Sequence, residues 1–399
     1  MKFHLFTASY LLAFAPLTQA FMPEPPPRPQ GPGGQPPQQA ITACQDQAEF
    51  SQCRINQGNR FKTGYCEYTP DGAYFACNPN SRGPETQDDS SGTGNTSISI
   101  IENTANREAC QRITDSVTAG GFSDVAVSCD NEYAYITSDT YPGHDLMNGI
   151  TGTNEQIPVP AVNYAAPVKL SPQLASSLTT IDAAVGVAVN GVPIYDYSAQ
   201  GELDVYNYDA AGDTLVLGQL DNCGGHAGRG DDYHYHVAPN CMIDAMPNKA
   251  DDTVIGWGYD GYPLYGNNNP DGSAIQPGTL DVCNGQADDS FGYRYHTSVT
   301  PPYIIQCLVG EVDTGILPRV SPLSGDTTGA RAHLTPPQGG VDNLSHEIDA
   351  DGSRTMRYDY QGENYYVTYR PATGTANCYD FEQKTVSNGG LIETGTYCR

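Results

Sequence analysis

The sequence predicts a β-rich α+β protein: a disulfide-stapled β domain built from two pseudo-repeats, with a small N-terminal cysteine module and a C-terminal strand region. Three observations carry this expectation. Gly (43), Pro (30) and Tyr (27) are abundant while charged residues make up only 16%, a balance that favours turns and short strands over long salt-bridged helices. The twelve cysteines all follow residue 43 and contain no Cys-x-x-Cys pair. A ten-residue pattern recurs within the chain, and a repeat of that kind decides the fold before any single motif does.

The elements follow in order. Residues 1–20 read as an export signal, with Lys2, an apolar stretch from Phe6 to Leu17 and the small-residue site Thr18-Gln19-Ala20. A cleavable leader of this kind implies a secreted or periplasmic protein. No later stretch approaches the eighteen apolar residues of a membrane span. Residues 21–42 form a Pro/Gln-rich linker, with eight prolines between 21 and 40, and should act as an extended tether. A small module at 43–80 holds Cys44, Cys53, Cys66 and Cys77, which are expected to pair among themselves. A polar linker spans 81–97. The main domain is assigned to 98–320, opening with Ile98 to Ile101, a helix across Arg107 to Val117, and strands at Val125 to Val127 and Tyr133 to Ile136. A linker at 321–345 leads to a C-terminal β region, 346–399. Spacing suggests disulfides Cys110 with Cys129, Cys223 with Cys241, Cys283 with Cys307 and Cys378 with Cys398, in the oxidising compartment that the leader implies.

Charge excludes two partner classes. With 19 Lys+Arg against 46 Asp+Glu the net charge is −27, and removing Lys2 with the leader gives 18 − 46 = −28. Phosphate backbones and anionic bilayers are bound mainly through Lys and Arg, so nucleic acid and membrane-surface roles are not expected. A divalent cation, by contrast, is drawn to such a field.

The repeat runs from Gly186 through Asn190-Gly191 to Tyr195 and again, seventy residues on, from Gly256 through Asp260-Gly261 to Tyr265. The Asn-Gly and Asp-Gly pairs signal hairpins. Each half continues into a cassette at an offset of sixty. Asp221-Asn-Cys-Gly-Gly-His226 leads to Tyr233-His234-Tyr235-His236, and Asp281-Val-Cys-Asn-Gly-Gln286 leads to Tyr293-Arg294-Tyr295-His296. These pieces, with Gly143-His144 before them and Pro302-Tyr303 after, resemble the YHYH-domain proteins over roughly Tyr133 to Gly310. The resemblance implies a secreted, mostly bacterial domain with no settled reaction. The front cysteine module likewise resembles short segments of bacterial exported proteins.

Side chains alternate across a strand, so Tyr233 and Tyr235 should share one face and His234 and His236 the other. Two imidazoles at that spacing are within reach of one ion. His226 lies in the same disulfide-bounded loop, His296 is the repeat equivalent of His236, and His144 is a fifth candidate. If the halves pack about a pseudo-twofold axis, His236 and His296 would meet near it. Imidazoles without thiolates favour copper first and zinc second, and Asp221, Asp232 and Asp281 could orient the rings, with Tyr233 and Tyr235 adjacent.

The leading expectation is a secreted metal-binding protein with ligands His144, His226, His234, His236 and His296. One alternative is a metal-dependent oxidase or hydrolase on the same site. Another is a non-catalytic surface module for carbohydrate or protein, in which the Tyr/His residues make a structural hydrogen-bonded network. Other motifs carry less. Gly256 to Gly261 fits G-x-G-x-x-G, but Pro263 stands where a helix should begin. His346-Glu347 lacks the second histidine of a zincin, and Asp349-Ala-Asp351-Gly352 reads as a solvated turn rather than a calcium loop.

Overall fold

A computed structural model of the protein describes residues 36–45, 52–57, 60–69, 74–78, 103–199, 203–228, 232–318 and 336–399. The expected leader, residues 21–35 of the tether, the polar linker and the Ile98 to Ile101 strand lie outside the described residues. Two compact units divide the chain, Met1–Thr93 and Gly94–Arg399.

In the first unit, helix α1 (Gln38–Thr42) precedes strands β1 (Gln52–Gln57), β2 (Arg60–Tyr68) and β3 (Phe75–Asn78), which form an antiparallel sheet in that order. Disulfides join Cys44 to Cys66 and Cys53 to Cys77. Among the described residues the buried cluster holds Ala40, Ile55, Ala76 and the four cysteines, so the staples are themselves part of the core. The last tether residues thus fold as α1, because Ala40 has this core to enter.

In the second unit, α2 (Thr104–Gly120) is capped by Asn103, whose side chain accepts from the Ala105 N–H at 2.9 Å, and stops at Gly121 in the left-handed region. Its buried stripe of Ala109, Cys110, Ile113 and Val117 has helical spacing, and Cys110 is bonded to Cys129. A meander of β4 (Ala126–Cys129), β5 (Tyr133–Ser138) and β6 (Tyr164–Lys169) follows, all antiparallel. Strand β7 (Leu174–Thr179) pairs with the later strand Leu308–Gly310.

The repeat builds one eight-stranded sheet. Its first half supplies β8 (Gly186–Ala188), β9 (Pro193–Ile194), β10 (Gly225–Ala227) and β11 (Tyr233–Tyr235). Helix α3 (Asn240–Ala245) then brings Cys241 to Cys223. The second half supplies β12 (Gly256–Gly258), β13 (Pro263–Tyr265), β14 (Gly285–Asp288) and β15 (Gly292–His296), with Cys283 bonded to Cys307 before β16 (Leu308–Gly310). The strand order β10-β11-β9-β8-β12-β13-β15-β14 is a palindrome of the two halves. Val187 pairs with its own repeat equivalent Trp257, so the local twofold passes between β8 and β12. Both hairpin turns put glycine at positive φ, Gly191 at 76° and Gly261 at 92°, which is why Asn-Gly and Asp-Gly recur there.

Strands β17 (Asp342–Ile348), β18 (Arg354–Tyr360), β19 (Glu363–Pro371), β20 (Cys378–Lys384) and β21 (Ile392–Cys398) form a five-stranded antiparallel meander closed by Cys378–Cys398. The sheet begins at Asp342, within the segment expected as linker. Its Met356, Val367, Tyr369 and Phe381 belong to the same core cluster as the repeat domain. Buried Glu155 ties the two together by accepting from the Val386 N–H at 2.6 Å, the Ser387 N–H at 3.0 Å and the Tyr358 hydroxyl. Asp349 to Gly352 is the β17–β18 turn, with the Asp349 N–H bonded to the Ser353 carbonyl at 2.8 Å. Among the described residues no helix is long and apolar enough to cross a membrane.

Candidate metal centre

Strands β10 and β11 pair antiparallel with His226 opposite His234. Alternation then sends His234 and His236 to the His226 side and both tyrosines to the other, as expected. The three histidines are 4%, 5% and 2% exposed. Their ligand nitrogens all lie within 4.8 Å of one another, and the Nε2 atoms of His226 and His236 are 3.1 Å apart. In the other two candidate groupings among the described residues the cysteines are disulfide-bonded, so this trio is the one made up wholly of imidazoles.

Backbone carbonyls orient the rings. His234 Nδ1 lies 2.9 Å from the Asp232 carbonyl, His236 Nδ1 bonds the Asp196 carbonyl, and His226 has a backbone hydrogen bond with Gln219. Such partners fix the tautomer and turn Nε2 inward. Burial holds His226 well below the usual 6.5, helped by its two histidine neighbours, and pushes His236 down to about 4. Burial therefore favours the neutral form of both His226 and His236. Tyr195 closes one side, its ring centroid 4.2 Å from that of His234. Gly228 closes another: a Cβ there would stand 3.2 Å from the Nε2 atoms of both His226 and His234, in the space between the ligands.

The other predicted residues lie elsewhere. His144 is on the tyrosine side, where Nε2 is 2.6 Å from the Tyr235 hydroxyl and Nδ1 is 2.6 Å from the Asp145 carbonyl. It belongs to a hydrogen-bond network and not to the trio. His296 is also apart, because β8 and β12 occupy the twofold while β11 and β15 stand near opposite edges. Five spacings of about 4.8 Å separate them, roughly 24 Å along the sheet. His236 and His296 therefore do not meet.

The acidic residues do not orient the rings through their carboxylates. Asp221 accepts from the N–H groups of Met147, Cys223 and Gly225 at 2.7, 2.9 and 3.1 Å and from the Tyr233 hydroxyl at 2.7 Å. Asp281 repeats this with Cys283, Gly285 and Tyr293. Asp232 pairs with Arg399 at 2.7 Å, both side chains nearly buried, and reaches His234 only through its carbonyl.

Residues 163–276 match the family model described as YHYH protein. Over these residues the chain is similar to the YHYH family. The match is narrower than the resemblance in sequence, and it contains His226, His234 and His236 while leaving His144 and His296 outside. No curated protein and no solved structure matches the chain. Tyr195, Gly228 and the carbonyls of Asp196 and Gln219 were not singled out from the sequence. Tyr195 ends the Asn-Gly-x-Pro-Ile-Tyr turn, the one available signal, whereas a carbonyl's role leaves no trace in residue type.

Proposed function

We propose that this YHYH-domain protein is exported and binds one divalent metal ion, copper before zinc, through His226, His234 and His236. The observation that carries the reading is the convergence of three buried imidazoles, whose ligand nitrogens all lie within 4.8 Å of one another. His236 turns its Nδ1 to the Asp196 carbonyl, which leaves its Nε2 lone pair facing His226 Nε2 at 3.1 Å, and His226 also has a backbone hydrogen bond with Gln219. Protonating either ring is opposed by burial. A cation between the nitrogens would be held by the three rings with the carbonyl bonds of His234 and His236 kept.

Three imidazoles without carboxylate or thiolate suit copper and zinc, and copper stands highest in the affinity order of divalent ions. Bound there, the ion would supply Lewis acidity or, if copper, redox chemistry. Export is supported by six disulfides with no free cysteine, together with the leader-like start of the sequence.

Elemental analysis after reconstitution with copper and with zinc tests the reading. One ion per chain is expected in the wild type and none in the His234→Ala, His236→Ala double variant. A wild type that remains metal-free overturns it.

A further inference from the structure

The second half repeats the hairpin with other side chains on the histidine side. β14 and β15 pair with Gln286 opposite Arg294, the register in which β10 and β11 place His226 opposite His234. His296 keeps its counterpart's anchor, Nδ1 lying 2.9 Å from the carbonyl of Gly266, which is the repeat equivalent of Asp196.

The remaining positions have changed together. Arg294 stands at the place of His234 and is 2% exposed. Its Nη2 is 2.7 Å from Asp288 and 3.1 Å from Asn269 Oδ1, while Nη1 donates to the Gly292 carbonyl at 3.2 Å. Asp288 occupies the place of Gly228, the residue whose missing side chain leaves the first centre clear. Gln286 replaces His226, and its Nε2 lies 3.2 Å from His296 Nε2. An amide N–H therefore meets the Nε2 atom whose counterpart in the first half faces the Nε2 of a second histidine. In the second half a guanidinium and an amide N–H of the chain itself stand where the first half has the imidazoles of His234 and His226.

We infer that the second half is the same cation site closed by an internal guanidinium, so that the YHYH domain holds one ion and not two. This rests on the metal-binding reading of the first half. It follows that the side chains of the two halves can be exchanged.

Two exchange variants test this, with copper uptake per chain measured by elemental analysis and folding followed by circular dichroism. Opening the second half with Gln286→His, Asp288→Gly and Arg294→His is expected to raise uptake from one ion to two. Closing the first half with His226→Gln, Gly228→Asp and His234→Arg is expected to lower it to none, with a melting temperature near that of the wild type. An opened variant that folds and still takes one ion overturns the inference while the metal-binding reading stands. If the opened variant does not fold, the closed variant decides: an ion retained, or loss of the fold, overturns the inference. A wild type that takes no ion overturns both.

Discussion

The tyrosine face and the histidine face of β11 lie on one strand, yet the second repeat treats them differently. On the tyrosine face both tyrosines and the carboxylate under the first of them are kept. Tyr233 donates to Asp221 at 2.7 Å and Tyr293 to Asp281 at 2.9 Å, while Tyr235 bonds Asn190 and Tyr295 bonds Asp260 at the matching turn position. The ring pairs are edge-on in both halves, at 5.6 and 5.3 Å. On the histidine face only His296 is kept. What the fold needs in both halves is the tyrosine network, which pins the cassette turn and fills the core. What it does not need is the histidine trio, and a buried polar cluster that the fold can do without is the better candidate for function.

The comparison breaks most visibly at Asp221. Asp221→Ala removes the acceptor for three backbone N–H groups and one buried hydroxyl. Leaving even two of these donors unpaired should cost about 3 kcal/mol or more, a fall in melting temperature of roughly 6–12 °C by scanning calorimetry. A His234→Gln, His236→Gln variant should change stability by less than half of that while losing the metal. If the histidine variant is the less stable of the two, the division into structural and functional faces is wrong.

Acid provides a test of intermediate size on the metal-free protein. His236, pushed from 6.5 to about 4, stays neutral in the folded state while the unfolded chain takes up a proton. Its contribution is complete above about pH 6.5 and is lost as the pH falls towards 4, on the order of 3 kcal/mol in all. His226 is shifted in the same direction by burial. Asp196 and Asp260, pushed up by burial from 3.8 to about 6, act in the opposite sense, their contribution being lost as the pH rises through that window. Subtracting the denaturation profile of His236→Gln from that of the wild type isolates the histidine. A difference flat from pH 4 to 7 would mean that His236 is not buried as a neutral ring. Copper loading should move the acid loss to lower pH.

Much of this arrangement was legible in the sequence, because periodicity and turn chemistry are local. The Asn-Gly and Asp-Gly turns located both hairpins, the Tyr-His-Tyr-His alternation assigned its two faces, and the sixty- and seventy-residue offsets defined the halves. Spacing identified the four disulfides that lie in the second unit. What the sequence could not carry was pairing order. A repeat announces a twofold but not which strands line it, and with β8 and β12 there, His296 went to the far side. His144 fits a metal site by residue type, yet its loop delivers it to Tyr235. Asp221 and Asp281 are committed to turns that begin with their own side chains, so acidity near a histidine was a misleading guide to ring orientation. Arg399, far along the chain, became the partner of Asp232 only because the C-terminal sheet shares the repeat domain's core.

The smallest expected effect compares the tyrosine network with itself. Tyr233 is buried and its partner Asp221 is nearly so, whereas Tyr293 is half-buried and Asp281 is exposed. Removing the hydroxyl in Tyr233→Phe takes a donor from a carboxylate that water does not easily reach, and should cost about 2 kcal/mol in urea denaturation. In Tyr293→Phe, water can replace the lost donor on Asp281, so the cost should fall to about 0.5–1 kcal/mol. Neither variant removes a ligand, so metal uptake per folded chain should match the wild type in both. Equal losses would mean that burial does not set the value of these bonds, and a loss of metal from Tyr233→Phe would mean that the two faces of β11 are coupled through the strand.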